Sequence, residues 1–121
     1  MSKDQRVVLV CGGRNFEDKE FVFDKLDMLD GKLDGIDVVI NGGAKGADTL
    51  AARWARRQGI DVYTFEAEWE TYGRSAGAIR NKQMLTEGKP DLVIAFPGGK
   101  GTRNMIKQAK RKGITVMEVV K

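Results

Sequence analysis

Eight of the fifteen glycines in this chain fall in three short stretches, VCGGRN at residues 10–15, INGGAKGAD at 40–48 and FPGGKGT at 96–102. Each follows an apolar run and opens a segment of helical spacing. Glycine at such an elbow lets backbone N–H groups approach a ligand, and the helix that follows aims its positive end at the same place. The guest that suits this arrangement is a phosphate. A single GG elbow is as often structural as functional; three at strand ends form a pattern, because in an open parallel sheet those ends share one edge. The candidate ligand-binding residues are Gly12, Gly13 and Arg14 in the first elbow, Gly42, Gly43, Gly46 and Asp48 in the second, and Pro97, Gly98, Gly99, Gly101 and Thr102 in the third. Arg14 and Arg80 stand beside glycine-rich turns, where a guanidinium can hold a phosphate through two parallel hydrogen bonds. Arg80 is expected to make that contact rather than an outer-surface salt bridge. Asp48 and Thr102 lie at or near helix starts; capping is the expected role of each, with contact to a ligand hydroxyl as the alternative.

The same residues exclude several chemistries. No elbow reads GxGxxG or GxxxxGK[ST], so dinucleotide redox chemistry and Walker-type ATP hydrolysis are set aside, and no cofactor is implied. The chain has no histidine, which removes the commonest metal ligand and the usual general base. Any catalysis would have to run on carboxylates. Glu66, Glu68 and Glu70 alternate on a segment expected to be exposed, where solvation is their ordinary role. Cys11, the single cysteine, permits no intrachain disulfide and reads as a buried small hydrophobe. Trp69 and Tyr72 are expected to cover the sheet edge, with stacking on a base as the alternative.

These groups need a frame to position them. Five valine- and isoleucine-rich runs, Val7 to Cys11, Val38 to Ile40, Val62 to Phe65, Leu92 to Phe96 and Thr115 to Val120, read as strands. Between them lie helical stripes such as Leu50, Ala51, Trp54, Ala55 and Ala78, Ile79, Leu85, each ending at a glycine. The alternation predicts an α/β three-layer sandwich with a mainly parallel five-stranded sheet. Its strands are apolar throughout, as burial on both faces requires. The longest irregular stretch is expected at residues 67–77. Residues 1–121 are read as one domain, with 41% hydrophobic and 31% charged residues, the composition of a soluble globular protein. No run has the length of a membrane span, and the N-terminus lacks a signal-peptide core, which together imply a cytoplasmic protein without a membrane partner. The net charge of +4 is unevenly spread: residues 17–37 hold eight acids and three lysines, residues 100–112 six basic residues and no acid. Lys107, Lys110 and Arg111 are read as a solvated helix face opposite Met105, Ile106 and Ala109.

The motifs GGAKGAD, then Trp69 with GRSAGAIRN, then FPGGKGT, in this order, resemble the YspA-type, cpYpsA-related branch of the SLOG superfamily, over nearly the whole chain. The resemblance implies a Rossmann-like domain with strand order 3-2-1-4-5, similar to the phosphoribohydrolases that release free cytokinins and to the nucleotide-binding fold of the DNA-processing protein DprA. It implies a site for a nucleotide or nucleotide-derived small molecule. Carried over, Pro97, Gly98, Gly99, Gly101 and Thr102 would hold phosphate, with Gly42, Gly43 and Gly46 opposite, and Arg80 and Asn81 of AGAIRN reaching into the same cleft. The hydrolases follow this loop with two residues and a glutamate; here that position is Met105. A thioether can neither stabilise an oxocarbenium ion nor handle a proton. The reading is therefore a module that senses or sequesters a phosphorylated nucleoside, an ADP-ribose-like or cyclic nucleotide signal among them. N-glycosidic cleavage of a nucleoside monophosphate is one alternative. Single-stranded nucleic-acid binding is another, suggested by the sequence pI near 9.3 but short of aromatic platforms. Self-association into a homo-oligomer is left open.

Overall fold

The computed structural model describes residues 5–121; the reading of the N-terminus draws partly on residues 1–4, which lie outside the described residues. The apolar runs form strands β1 (Val7–Cys11), β2 (Val38–Asn41), β3 (Asp61–Thr64), β4 (Leu92–Ala95) and β5 (Thr115–Glu118). They pair in the order β3-β2-β1-β4-β5, every pair parallel. Helices α1 (Lys19–Lys32), α2 (Ala47–Arg57), α3 (Trp69–Tyr72), α4 (Ala76–Thr86) and α5 (Lys100–Arg111) fill the connections. Helix α1 begins where Asp18 accepts a hydrogen bond from the Phe21 N–H at 3.1 Å, the usual N-cap exchange.

Successive strand side chains point to opposite faces, so each inner strand feeds two cores. Val8, Val10, Val39 and Ile94 pack with Val22 and Leu26 of α1 and with Leu50, Ala51 and Trp54 of α2. Leu9, Ile40 and Val93 pack with Met84 and Leu85 of α4 and with Met105 and Ala109 of α5. The result is a helix–sheet–helix sandwich. Burial on both faces holds for β1, β2 and β4 but not for the outer strands. In β3 and β5 only the second residue is half-buried and the other three are exposed, because an outer strand has one neighbour and the helices cover the sheet centre.

Three further expectations are corrected. Residues 67–77 are not irregular: α3, a 3-10 turn at Gly73–Ser75 and the start of α4 occupy most of the stretch. Gly59 and Gly113 do close α2 and α5 with φ near +75° and +78°, but α4 is closed by Lys89 at φ +47°. Gly88 is there for space, since a Cβ would meet the Met84 carbonyl and the Ile40 side chain. Ala78, placed on the apolar stripe from sequence, is exposed, and Ala76, Asn81, Met84 and Leu85 form the buried face of α4.

The chain runs outward from β1 through β2 to β3 and returns on the other side of β1 as β4. This reversal opens a crevice beyond the C-terminal ends of β1 and β4, the place where open parallel sheets receive ligands.

Candidate functional site

The elbows after β1, β2 and β4 meet over that edge and line one open cleft of about 1060 Å³. Of the residues nominated from sequence, Gly12, Gly13, Arg14, Gly42, Gly43, Asp48, Arg80, Asn81, Pro97, Gly98, Gly99, Gly101 and Thr102 line it, and Gly46 does not.

Gly13, Gly46 and Gly98 are small because their backbone must approach another backbone, and Gly12 because it packs on Ala47 and Phe96. The Gly13 N–H donates to the Pro97 carbonyl at 2.8 Å and the Ala47 N–H to the Gly13 carbonyl at 3.3 Å, which stitches the three elbows together. A Cβ on Gly12 would lie 2.6 Å from Ala47 Cβ, one on Gly98 2.6 Å from the Gly13 nitrogen, and one on Gly46 against the Gly13 and Arg14 backbone. Phe16 stacks on Phe96 with ring centroids 5.9 Å apart and ties the segment after the first elbow to the end of β4. Gly99 and Gly101 differ: a Cβ on either would find nothing within 4 Å, and neither has a positive φ.

The elbows also differ in their donors. Asp48 does not cap α2, nor does Thr102 cap α5; the N-cap positions are Gly46 and Gly99, with no side-chain cap bond at either. Asp48 instead reaches back and accepts the N–H groups of Gly42 at 3.0 Å and Ala44 at 3.3 Å, while Asn41 Oδ1 accepts that of Gly43 at 2.8 Å. The β2 elbow therefore has these amides engaged within the protein. At the β4 elbow no protein group among the described residues accepts from the N–H groups of Gly99, Lys100, Gly101 or Thr102. The first turn of α5 carries no acid, whereas that of α2 carries Asp48. Unengaged amides at a helix start with no local anion form the positive end of the cleft.

Arg80, half-buried, is drawn into the scaffold more than expected. Its Nη1 donates to the Gly42 carbonyl at 2.6 Å and its Nε to Asn81 Oδ1 at 3.0 Å. It stands under the β2 elbow so closely that a Cβ on Gly42 would collide with the guanidinium. Nη2 has no protein partner among the described residues and is the donor that remains for a ligand. Asn81, also buried, donates to the Gly101 carbonyl at 3.2 Å and to Asn104 Oδ1 at 3.0 Å, so it fixes the first turn of α5 against α4. Burial pushes the Asp48 carboxyl up to about 6, against the pull of the Ala44 and Gly42 amides and the Arg80 charge. Burial, and then the Asp48 charge, push the Cys11 thiol up to about 12, so Cys11 is an inert core group. Burial also lowers Arg80 from its ordinary value.

Sequence reasoning passed over Lys45 and Lys100, which line the cleft and are exposed. The available signal was their position inside the glycine runs, GGAKG and GGKG. Trp69 was expected to be buried and is 60% exposed at the cleft lip, and Tyr72 is exposed as well. The reason is that α3 packs against α4 and the 3-10 turn rather than on the sheet. Glu66 also lines the cleft, whereas Glu68 and Glu70 do not. Met105 is fully buried in the core under α5. Among the described residues no group of three acidic or thiol side chains could hold a metal, and no helix is long and apolar enough to cross a membrane.

A parallel sheet in this order, with glycine elbows over its reversal point, defines a Rossmann-like domain. The chain belongs to the YspA, cpYpsA-related SLOG family, whose model matches residues 6–72; the β4 elbow lies beyond that match. The Gene 61 protein of Mycobacterium phage D29 is 41% identical over 120 residues, covering 93% of this chain and 94% of that protein. Among solved structures, MurG of Acinetobacter baumannii superimposes with a TM-score of 0.57 at 15% identity over 94% of this chain. The chain spans about a third (34%) of the MurG chain, and the likeness is one of fold.

Proposed function

We propose that this protein binds a phosphorylated nucleoside or nucleotide-derived molecule, as a sensing or sequestering module, with the phosphate on the first turn of α5. One observation carries the reading: Gly101 lacks a side chain where neither packing nor conformation demands it, and Gly99 where packing does not, beside N–H groups that no protein atom among the described residues engages. Open space before unengaged donors is what an anion requires. Lys100, the first residue of α5, and Nη2 of Arg80 supply charge to the same anion.

Cleavage of the N-glycosidic bond has little support. The position that would supply the carboxylate is Met105, which is 0% exposed and part of the core. Oligonucleotide binding has less, because Phe16 and Trp69 are the only aromatic residues along the cleft among the described residues, and single-strand binders stack successive bases on several.

Thermal unfolding with nucleoside 5′-phosphates, the corresponding nucleosides and inorganic phosphate tests the reading. A nucleotide at a hundredfold excess over its Kd should stabilise the protein by about 2.7 kcal/mol, a rise in Tm on the order of 10 °C. The nucleoside alone should do far less. Equal shifts from nucleoside and nucleotide would remove the phosphate from the proposal. Release of free base over many turnovers would replace binding with catalysis.

A further inference from the structure

Resting on the phosphate assignment above, the other end of the cleft can be read for what it recognises. We infer that the β3 side selects a ribonucleoside 5′-phosphate whose 2′,3′-diol is free, with Glu66 accepting both hydroxyls and Trp69 stacking on the base.

The direction of the ligand follows from the sheet. From the β4 elbow to the end of β3 the edge crosses β1 and β2, three inter-strand steps or roughly 14 Å. A nucleotide with its phosphate on α5 therefore lays its sugar over the β1 and β2 elbows and its base toward α3. The cleft changes character along that line. Arg14, Lys45, Arg80 and Lys100 are its cations, and the two carboxylates are Asp48 and Glu66. Asp48 is buried and occupied by the Gly42 and Ala44 amides. Glu66 is exposed and has no hydrogen-bond or ion-pair partner among the described residues.

A carboxylate in that position is an acceptor only. It needs a ligand that presents donors, and its two oxygens match a vicinal pair of hydroxyls. A phosphate on the 2′ or 3′ oxygen, or a cyclic ester across it, removes the donor and adds like charge. Gly43 makes the position available, since a Cβ there would lie 3.1 Å from Glu66 Cγ and 2.9 Å from Thr64 Cγ2. Without a side chain at Gly43, Glu66 folds across the β2 elbow. Beyond it the Trp69 indole stands over Gly77, where a Cβ would be 3.5 Å from its Cη2. A large aromatic face left 60% exposed beside a cleft is the surface on which a base stacks, whatever its identity. Cyclic nucleotides are thereby excluded, and 5′-phosphates with an open ribose, including ADP-ribose-type molecules, are retained.

The test uses the four ribonucleoside 5′-monophosphates, their 2′-deoxy counterparts and 3′,5′-cyclic AMP, with affinities measured by calorimetry. For the preferred base, wild type should bind the ribo form roughly ten- to a hundredfold more tightly than the deoxy form, the range for one hydrogen bond to a charged acceptor. Glu66→Gln should bring the two within about threefold by weakening the ribo form. Trp69→Ala should weaken both by about tenfold. Tryptophan emission is a second readout: Trp54 is fully buried with its indole N–H on Asp27 at 2.8 Å, so quenching on binding should come from Trp69 and vanish in Trp69→Phe. Equal affinity of wild type for ribo and deoxy forms, undiminished discrimination in Glu66→Gln, or tight binding of cyclic AMP overturns the inference. In those cases loss of binding in Gly101→Ala would leave the phosphate assignment standing. Absence of binding to every nucleotide overturns both.

Discussion

The elbows after β2 and β4 are written almost alike, GGAKGA and GGKGT, and do opposite things. In the first, Gly42, Gly43 and Ala44 give their N–H groups to Asp48 and Asn41, and Gly46 is pressed against the neighbouring elbow. In the second, the amides from Gly99 to Thr102 have no protein acceptor among the described residues, and Gly99 and Gly101 face open space. The difference traces to one side chain in the first turn of each helix. An aspartate in α2 holds two amides of its own loop as a brace, while the corresponding turn of α5 has only basic and neutral residues. Similar glycine runs thus make a structural joint where an internal acceptor is supplied and leave open space before unengaged amides where it is withheld.

The sharpest way to break this contrast is to add a methyl group to each elbow. Gly46→Ala should be the most damaging change, because φ is +79° and the new Cβ meets the Gly13 and Arg14 backbone. Left-handed strain together with overpacking predicts a loss of about 2–5 kcal/mol in urea unfolding. A variant as stable as wild type would show that the joint is not a joint.

Next in size is the carboxylate that makes the brace. Asp48 ionises at about 6 in the folded protein instead of 3.8, so the folded state holds its proton more tightly than the unfolded chain. Its contribution to stability is fully present below about pH 4, falls as the pH rises to about 6 and stays flat above, a difference of roughly 3 kcal/mol. Asp48→Asn keeps an acceptor for Gly42 and Ala44 and removes the titration. Relative to wild type the variant should gain about that amount between pH 4 and pH 7, read from denaturant unfolding at both values. An unchanged profile would place the charge elsewhere.

Gly101→Ala should act in the opposite direction to Gly46→Ala. Alanine suits a helix better than glycine by about 0.5–1 kcal/mol, so the fold should gain slightly while nucleotide binding falls about tenfold or more, as the methyl group enters the space before the amides. Lost stability with intact binding would make the β4 elbow a second brace. The smallest effect is expected at Cys11, whose thiol lies at about 12: iodoacetamide at pH 8 should leave it unmodified until the protein unfolds, and mass spectrometry before and after adding urea checks it.

The architecture was legible because the chain repeats one local grammar. Runs such as Val7–Cys11 and Leu92–Ala95 are apolar on both parities, which only a strand covered on both faces requires. The candidate residues were legible for the same reason, since glycine, arginine and aspartate at strand ends are conspicuous. Their roles were less so. Asp48 and Thr102 were expected to cap, and neither does. Arg80 was expected to serve a ligand, and two of its donors hold the scaffold. Trp69 was expected to be covered, and it stands open.

What the sequence determined by itself is the order of elements, the two-faced apolar pattern of the inner strands and the family. These depend on residue type and on neighbours a few positions away, which the chain carries wherever it goes. What tertiary structure decided is which polar group is already engaged. The Gly13 amide meets Pro97 across more than eighty residues, Arg80 meets Gly42 across 38 and Asn81 meets Gly101 across 20. A donor is available to a ligand only if no such partner has taken it, and burial alone moves Asp48 into the range where it titrates near neutrality. Spacing along the chain cannot report either, because both are properties of what folding brings alongside.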